Sequence, residues 1–92
     1  MDSIMQQRRE CYVCRTTAGL ERHHVYAGSR RRAADKWGCW VWLCNAHHTG
    51  RFGVQYDARA SRRLKAECQR AFEALYGHER FLEVFGKNYV ED

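Results

Sequence analysis

Proline is missing from this sequence, as are internal repeats, low-complexity tracts and long apolar runs. Nothing therefore marks a stiff linker, a repeat array or a fibrous segment. No stretch approaches the roughly 20 apolar residues that cross a bilayer, so no membrane role is expected. MDSIMQQRRE runs into CYVC with no apolar segment between them, which argues against a secretory leader and for a cytoplasmic protein. Lysine is scarce too: arginine supplies 13 of the 16 cationic side chains. That bias suits planar recognition of phosphate, although a skewed base composition in the gene produces the same excess.

What is present is sulfur and imidazole. Five cysteines and five histidines lie within 92 residues. A chain of this length forms one domain, 1–92, and buries only about 60–65% of its extended surface, so it needs help from a metal, a bridge or a partner. In a reducing compartment a CxxC is more often a metal site than a disulfide, and an odd cysteine count agrees with that.

The formal charge of +5 is unevenly spread. Residues 1–65 carry 13 Lys/Arg against 5 Asp/Glu, whereas residues 66–92 carry 3 against 6. A polyanion or an acidic protein is expected to meet the first part of the chain. A merely solubilising surface is the plain alternative.

The pattern along the chain predicts an α+β fold. Residues 1–10 look frayed. CYVCRTTAG reads as a knuckle around Tyr12 and Val13, ended by Gly19. LERHHVY and CWVWL read as the two strands of a hairpin, with Trp40 and Trp42 on one face and Val41 and Leu43 on the other. Between them SRRRAADKWG predicts a short helix, with Ser29 as N-cap and Gly38 as its stop. A turn of helix follows from Cys44 to about Thr49, then a loop or edge segment, RFGVQY. From Asp57, a credible N-cap, the period becomes 3.6: Ala60, Leu64, Cys68, Ala71, Phe72 and Leu75 form an apolar stripe stopped at Gly77. Phe81, Leu82 and Phe85 mark a last short helix ended by Gly86. Residues 11–56 thus form the site-bearing core and 57–92 its supporting helices.

Cys11 and Cys14 have the two-residue spacing of a zinc knuckle, and Cys44 and His47 repeat it after 29 intervening residues. Three thiolates and one imidazole suit tetrahedral Zn²⁺, and such a clamp would tie the N-terminal loop to the central helix. His48, four along from Cys44, and Cys39 on the preceding strand are the alternative ligands. Cys68 lies on the apolar stripe and reads as a small buried hydrophobe.

Taken together, CYVC, ERHHV and WLCNAHH resemble the zinc-containing HNH nucleases of the ββα-metal finger fold, and most of all the short HNH-like proteins of phages and prophages. The likeness runs from Cys11 to about Tyr56, and GHERFLEVFGKNY resembles the tail of those phage proteins. The resemblance implies an HNH-like ββα-metal core with structural zinc knuckles and two C-terminal helices. It implies DNA as substrate and a phage or bacterial intracellular setting. It also implies roles: His23 and His48 hold a catalytic ion (Mg²⁺, Mn²⁺, Ni²⁺ or Zn²⁺), and His24 is the general base. His47 is then left to the structural zinc. An imidazole with a pKa of about 6.5 can take a proton from water at neutral pH, and a divalent ion stabilises the departing oxygen. Arg22, Arg30, Arg31, Arg32, Lys36 and Arg51 are candidate contacts to flanking phosphates. Arg30 to Arg32 equally fit the wet face of a short helix. Trp37, Trp40 and Trp42 read as hairpin core, with Trp37 a platform for bases only in a single-strand binder.

The sequence departs from the family pattern in two places. An asparagine that steadies the base is expected shortly before the second zinc pair, where Cys39 or Gly38 stands. A further ligand is expected four residues after the helix ligand, where Phe52 stands, and Gln55 holds a later alternative position. A catalytically degenerate HNH scaffold is therefore the second expectation. It would bind DNA, or a host or phage protein, for example as a phage-encoded inhibitor of a host defence nuclease. A zinc-stabilised mini-domain with a purely structural role is the third.

Overall fold

The computed structural model describes residues 1–50 and 53–90. Arg51 and Phe52, which carried an expected phosphate contact and a missing ligand, lie outside the described residues, as does the side chain of Gln55. The chain folds as strand β1 (Leu20–His24), helix α1 (Arg31–Lys36), strand β2 (Trp40–Cys44), and helices α2 (Asn45–His48), α3 (Ala58–Tyr76) and α4 (His78–Phe85). Two 3-10 turns, Gly28–Arg30 and Val54–Tyr56, lead into α1 and α3. The fold is α+β, with a two-stranded antiparallel sheet. No helix among the described residues is long and apolar enough to cross a membrane.

The hairpin register pairs Arg22 with Trp42, His23 with Val41 and His24 with Trp40. Because strand side chains alternate, one face carries Arg22, His24, Trp40 and Trp42, and the other carries Glu21, His23, Val41 and Leu43. Val41 and Leu43 are fully buried and join Leu64, Cys68 and Phe72 of α3 with Phe81 and Phe85 of α4 in one apolar cluster. Tyr26, just past β1, packs its ring on Phe85 at 4.5 Å and on Phe81 at 5.6 Å. Its hydroxyl donates to the Lys65 carbonyl at 2.6 Å, so this buried Tyr keeps a polar partner. Trp37 packs against Phe72 and Tyr76, inside the fold rather than out as a platform.

Residues 1–10 do not fray. Beside the strand, the Ile4 N–H donates to the Gly38 carbonyl at 2.9 Å and Trp40 Nε1 to the Met1 carbonyl at 3.1 Å; on the free edge of β2 itself, the Ser3 hydroxyl donates to the Trp40 carbonyl at 2.5 Å and the Trp42 N–H to Gln6 Oε1 at 2.7 Å. A bare strand edge presents unpaired backbone groups, and these bonds occupy them. Gly38 allows the close approach: its φ is +75°, and a side chain there would strike the Asp2 carbonyl.

Two expectations about the helices change. Ser29 makes no capping bond; α1 starts from the 3-10 turn with Arg30 at its N-cap. On α3, Asp57 caps as expected, accepting from Arg59 N at 3.0 Å and Ala60 N at 3.1 Å. The buried face, however, is Leu64, Cys68, Gln69 and Phe72, while Leu75 is exposed. Gln69 is buried because its amide has partners: it donates to Glu73 at 2.8 Å and to Asn88 at 2.7 Å, and accepts from the Tyr89 N–H at 2.7 Å. These bonds lash the segment after α4 to α3.

Candidate metal centre and histidine cluster

Cys11 opens a knuckle in which its N–H donates to the Thr16 carbonyl at 2.8 Å and its carbonyl accepts from Arg15 at 2.9 Å; Arg15 has φ +65° to complete the turn. The second pair arrives at the end of β2, where Cys44 leads directly into α2. Four donor atoms meet there. Cys14 Sγ lies 3.7 Å from Cys44 Sγ, and His47 Nδ1 lies 3.1 Å from Cys44 Sγ and 3.8 Å from Cys11 Sγ. All four atoms fall within 4.8 Å of one another, close enough to hold one metal ion. A tetrahedron with bonds of about 2.3 Å to sulfur and about 2.0 Å to nitrogen has edges of about 3.8 and 3.5 Å. The S–S separation of 3.7 Å is close to the first edge, and the S–N separations of 3.1 and 3.8 Å fall on either side of the second.

The electrostatics favour a thiolate at Cys11. Burial would raise the Cys11 pKa, but backbone N–H groups of Cys14, Cys44 and Val13 bring it down to about 6. For Cys14 the Thr16 N–H acts in the same direction. Burial and the neighbouring Cys11 and Cys44 sulfurs outweigh it and hold that thiol above its usual range. Crowded thiolates repel one another, and a cation among them removes that cost.

The neighbouring histidines of α2 do separate. His47 turns to the sulfurs, while His48 turns to β1, where its ring meets that of His23 edge-on with centroids 5.2 Å apart. The chain folds back on α2 so tightly that a side chain at Gly53 would strike the His48 carbonyl. Burial, then the charges of His48, His24 and Lys65, lower the His23 pKa to about 4, so its ring is neutral at pH 7. His48 Nδ1 lies 3.3 Å from Glu21 Oε1. With Nδ1–H donating to that carboxylate, the lone pair falls on Nε2, the arrangement common for metal-ligating histidines.

His24 takes the opposite face of β1. Its Nε2 lies 3.3 Å from Asp35 Oδ1, which also accepts from Arg22 at 3.1 Å. His24 first, and Arg22 with it, hold Asp35 below the usual carboxylate range. A pocket of about 310 Å³ here is lined by Arg22, His24, Arg31, Arg32 and Asp35. Arg22 also stacks its guanidinium 3.9 Å above the Trp40 ring. The remaining expected phosphate contacts diverge: Arg30 donates through Nε to the Phe85 carbonyl at 2.7 Å, tying the hairpin end to α4, and Lys36 is exposed at the end of α1.

Glu21 and Asp35, the two carboxylates that orient histidines, were missed from sequence. Glu21 left a signal, since it lies two residues before His23 and therefore on the same strand face. Asp35 left none, because its reach to His24 depends on how α1 packs across the hairpin. Cys39, weighed as a substitute ligand, is fully buried beside Cys68 and apart from the cluster. Comparison with known proteins returned no matching family model, no matching curated protein and no matching solved structure.

Proposed function

We propose that this chain is an HNH-type, metal-dependent phosphodiesterase acting on DNA, with a structural zinc in the Cys11–Cys14–Cys44–His47 clamp. The observation that carries the reading is the meeting of His23 and His48, from different elements, one residue away from a metal clamp. Two imidazoles steadied by a carboxylate suit Mn²⁺, Ni²⁺ or Zn²⁺ better than Mg²⁺, which favours oxygen. When bound, such an ion neutralises phosphate charge and stabilises the leaving oxygen. His23 offers a neutral ring at pH 7, and Glu21 keeps the His48 lone pair on the ligating nitrogen. Asp35 performs the orienting task for His24 that an asparagine would otherwise perform, leaving Nδ1 of that ring to take a proton from water.

Nicking of supercoiled plasmid across a series of Mg²⁺, Mn²⁺, Ni²⁺ and Zn²⁺ tests this. Wild type should nick with at least one ion, His48→Ala should not, and His24→Ala should lose about 10²-fold or more. Zinc-loaded wild type that leaves plasmid intact with every ion would overturn the assignment.

A second reading, a non-cleaving scaffold that binds nucleic acid, is favoured by one feature. His24 stands on the sheet face opposite His23, engaged with Asp35. It predicts DNA retention without nicking, whereas nicking that survives His24→Ala would overturn it and would exclude His24 as the base of the first reading.

A further inference from the structure

A second cationic pocket lies away from the hairpin's arginines. It measures about 600 Å³ and runs between α3 and the segment after α4, with Arg62, Arg63, Lys65, Arg70 and Lys87 around it and Glu67 as the one acid. Glu67 is engaged, accepting from the Tyr12 hydroxyl at 2.7 Å. Among the described residues, none of the five cations makes an ion pair. Lys65 and Lys87 lie over the Tyr89 ring at 5.9 and 5.4 Å, while the α1 pocket holds fewer cations, three arginines of which Arg22 is paired with Asp35 and stacked on Trp40.

The groove is a built feature of the fold. Its far wall, Asn88 and Tyr89, is held to α3 by the fully buried Gln69. One of its lining residues is tied to the end of the hairpin: the Tyr26 hydroxyl, two residues past β1, donates to the Lys65 carbonyl at 2.6 Å.

We propose that this groove is the DNA-docking surface, holding backbone phosphates along α3 and delivering the strand past Lys65 to His23 and His48. The inference rests on the DNA-directed reading above and moves the main phosphate contacts from α1 to α3. Charge complementarity selects the occupant: five cations without an ion-pair partner around one groove match a chain of regularly spaced monoanions.

The test is fluorescence polarisation of a short labelled DNA duplex at several salt concentrations, without added divalent ion. Wild type is compared with Arg63→Glu/Lys87→Glu and with Arg31→Glu/Arg32→Glu. All four positions are exposed, and bound zinc and circular dichroism verify each fold. The groove variant should lose roughly tenfold or more in affinity, with a log–log salt slope shallower by about 0.9 for each phosphate that is no longer neutralised. The α1 variant should lose less. A groove variant that binds like wild type, an α1 variant that loses as much, or wild type that binds heparin but not DNA would each overturn the inference. Cleavage does not enter the measurement, so an inactive enzyme that binds through the groove would sink the catalytic reading and leave this one standing.

Discussion

The N-terminal hairpin region and the C-terminal helical pair are built from different side-chain chemistry. In the first, buried cysteines at 11 and 44 stand where a larger protein would place aliphatic side chains, and four donors converge on a single point. In the second, Phe72, Phe81, Phe85 and Tyr26 pack edge-on or tilted against one another, at centroid separations of 4.5 to 5.9 Å. Metal coordination is local and directional, so it sets loops in place. Aromatic burial is spread over area, so it sets how helices lie against the sheet. The first region can therefore bear chemistry, and the second can hold it still.

Breaking the clamp should have the largest effect. Cys14 is exposed, so Cys14→Ser removes a ligand without opening a cavity. Bound zinc, measured by elemental analysis, should fall from about one per chain towards none, and structural sites of this type carry on the order of 10 kcal/mol of folding energy. Because one buried cluster spans both regions, the near-ultraviolet tryptophan signal and the far-ultraviolet helical signal should fall together. A helical signal that survives zinc loss would show that the C-terminal pair stands alone.

Phe72→Ala attacks the other side of the comparison. It should cost about 3–5 kcal/mol in urea unfolding, while the folded fraction keeps its zinc. Loss of zinc in a variant still folded would mean that the helices, and not the knuckles, set the ligand geometry.

The smallest effect is a pH dependence. The His23 pKa is near 4 in the fold against about 6.5 when unfolded, so the unfolded chain binds the extra proton between those values. Stability should therefore fall as pH drops from 6.5 towards 4. Because His23 is only partly buried, solvent screening trims the effect, and the loss by pH 5.5 should be about 1 kcal/mol. His23→Gln should flatten that part of the curve relative to wild type. An unchanged slope would mean that the ring accepts a proton without leaving its place.

Spacing alone made the clamp legible, because a two-residue gap holds two ligands on one turn wherever it occurs. Strand alternation likewise separated Trp40 and Trp42 from Val41 and Leu43, and would have placed Glu21 with His23. Periodicity found the Asp57 cap but overstated the stripe at Leu75, since it cannot say where α4 ends its cover. It also passed over Gln69, whose burial depends on partners nearly twenty residues away. The opening residues looked frayed because they lack periodicity, yet Ser3 and Gln6 bond to a strand edge 37 and 36 residues on.

By itself the sequence determined which residues can ligate and which face of each element is apolar, because both are set by neighbours a few positions apart. Only the tertiary structure decided which carboxylate orients which histidine, that His24 turns away from His48, and that unpaired cations gather on α3. Those outcomes depend on how helices cross the hairpin, a long-range packing result that local spacing does not contain.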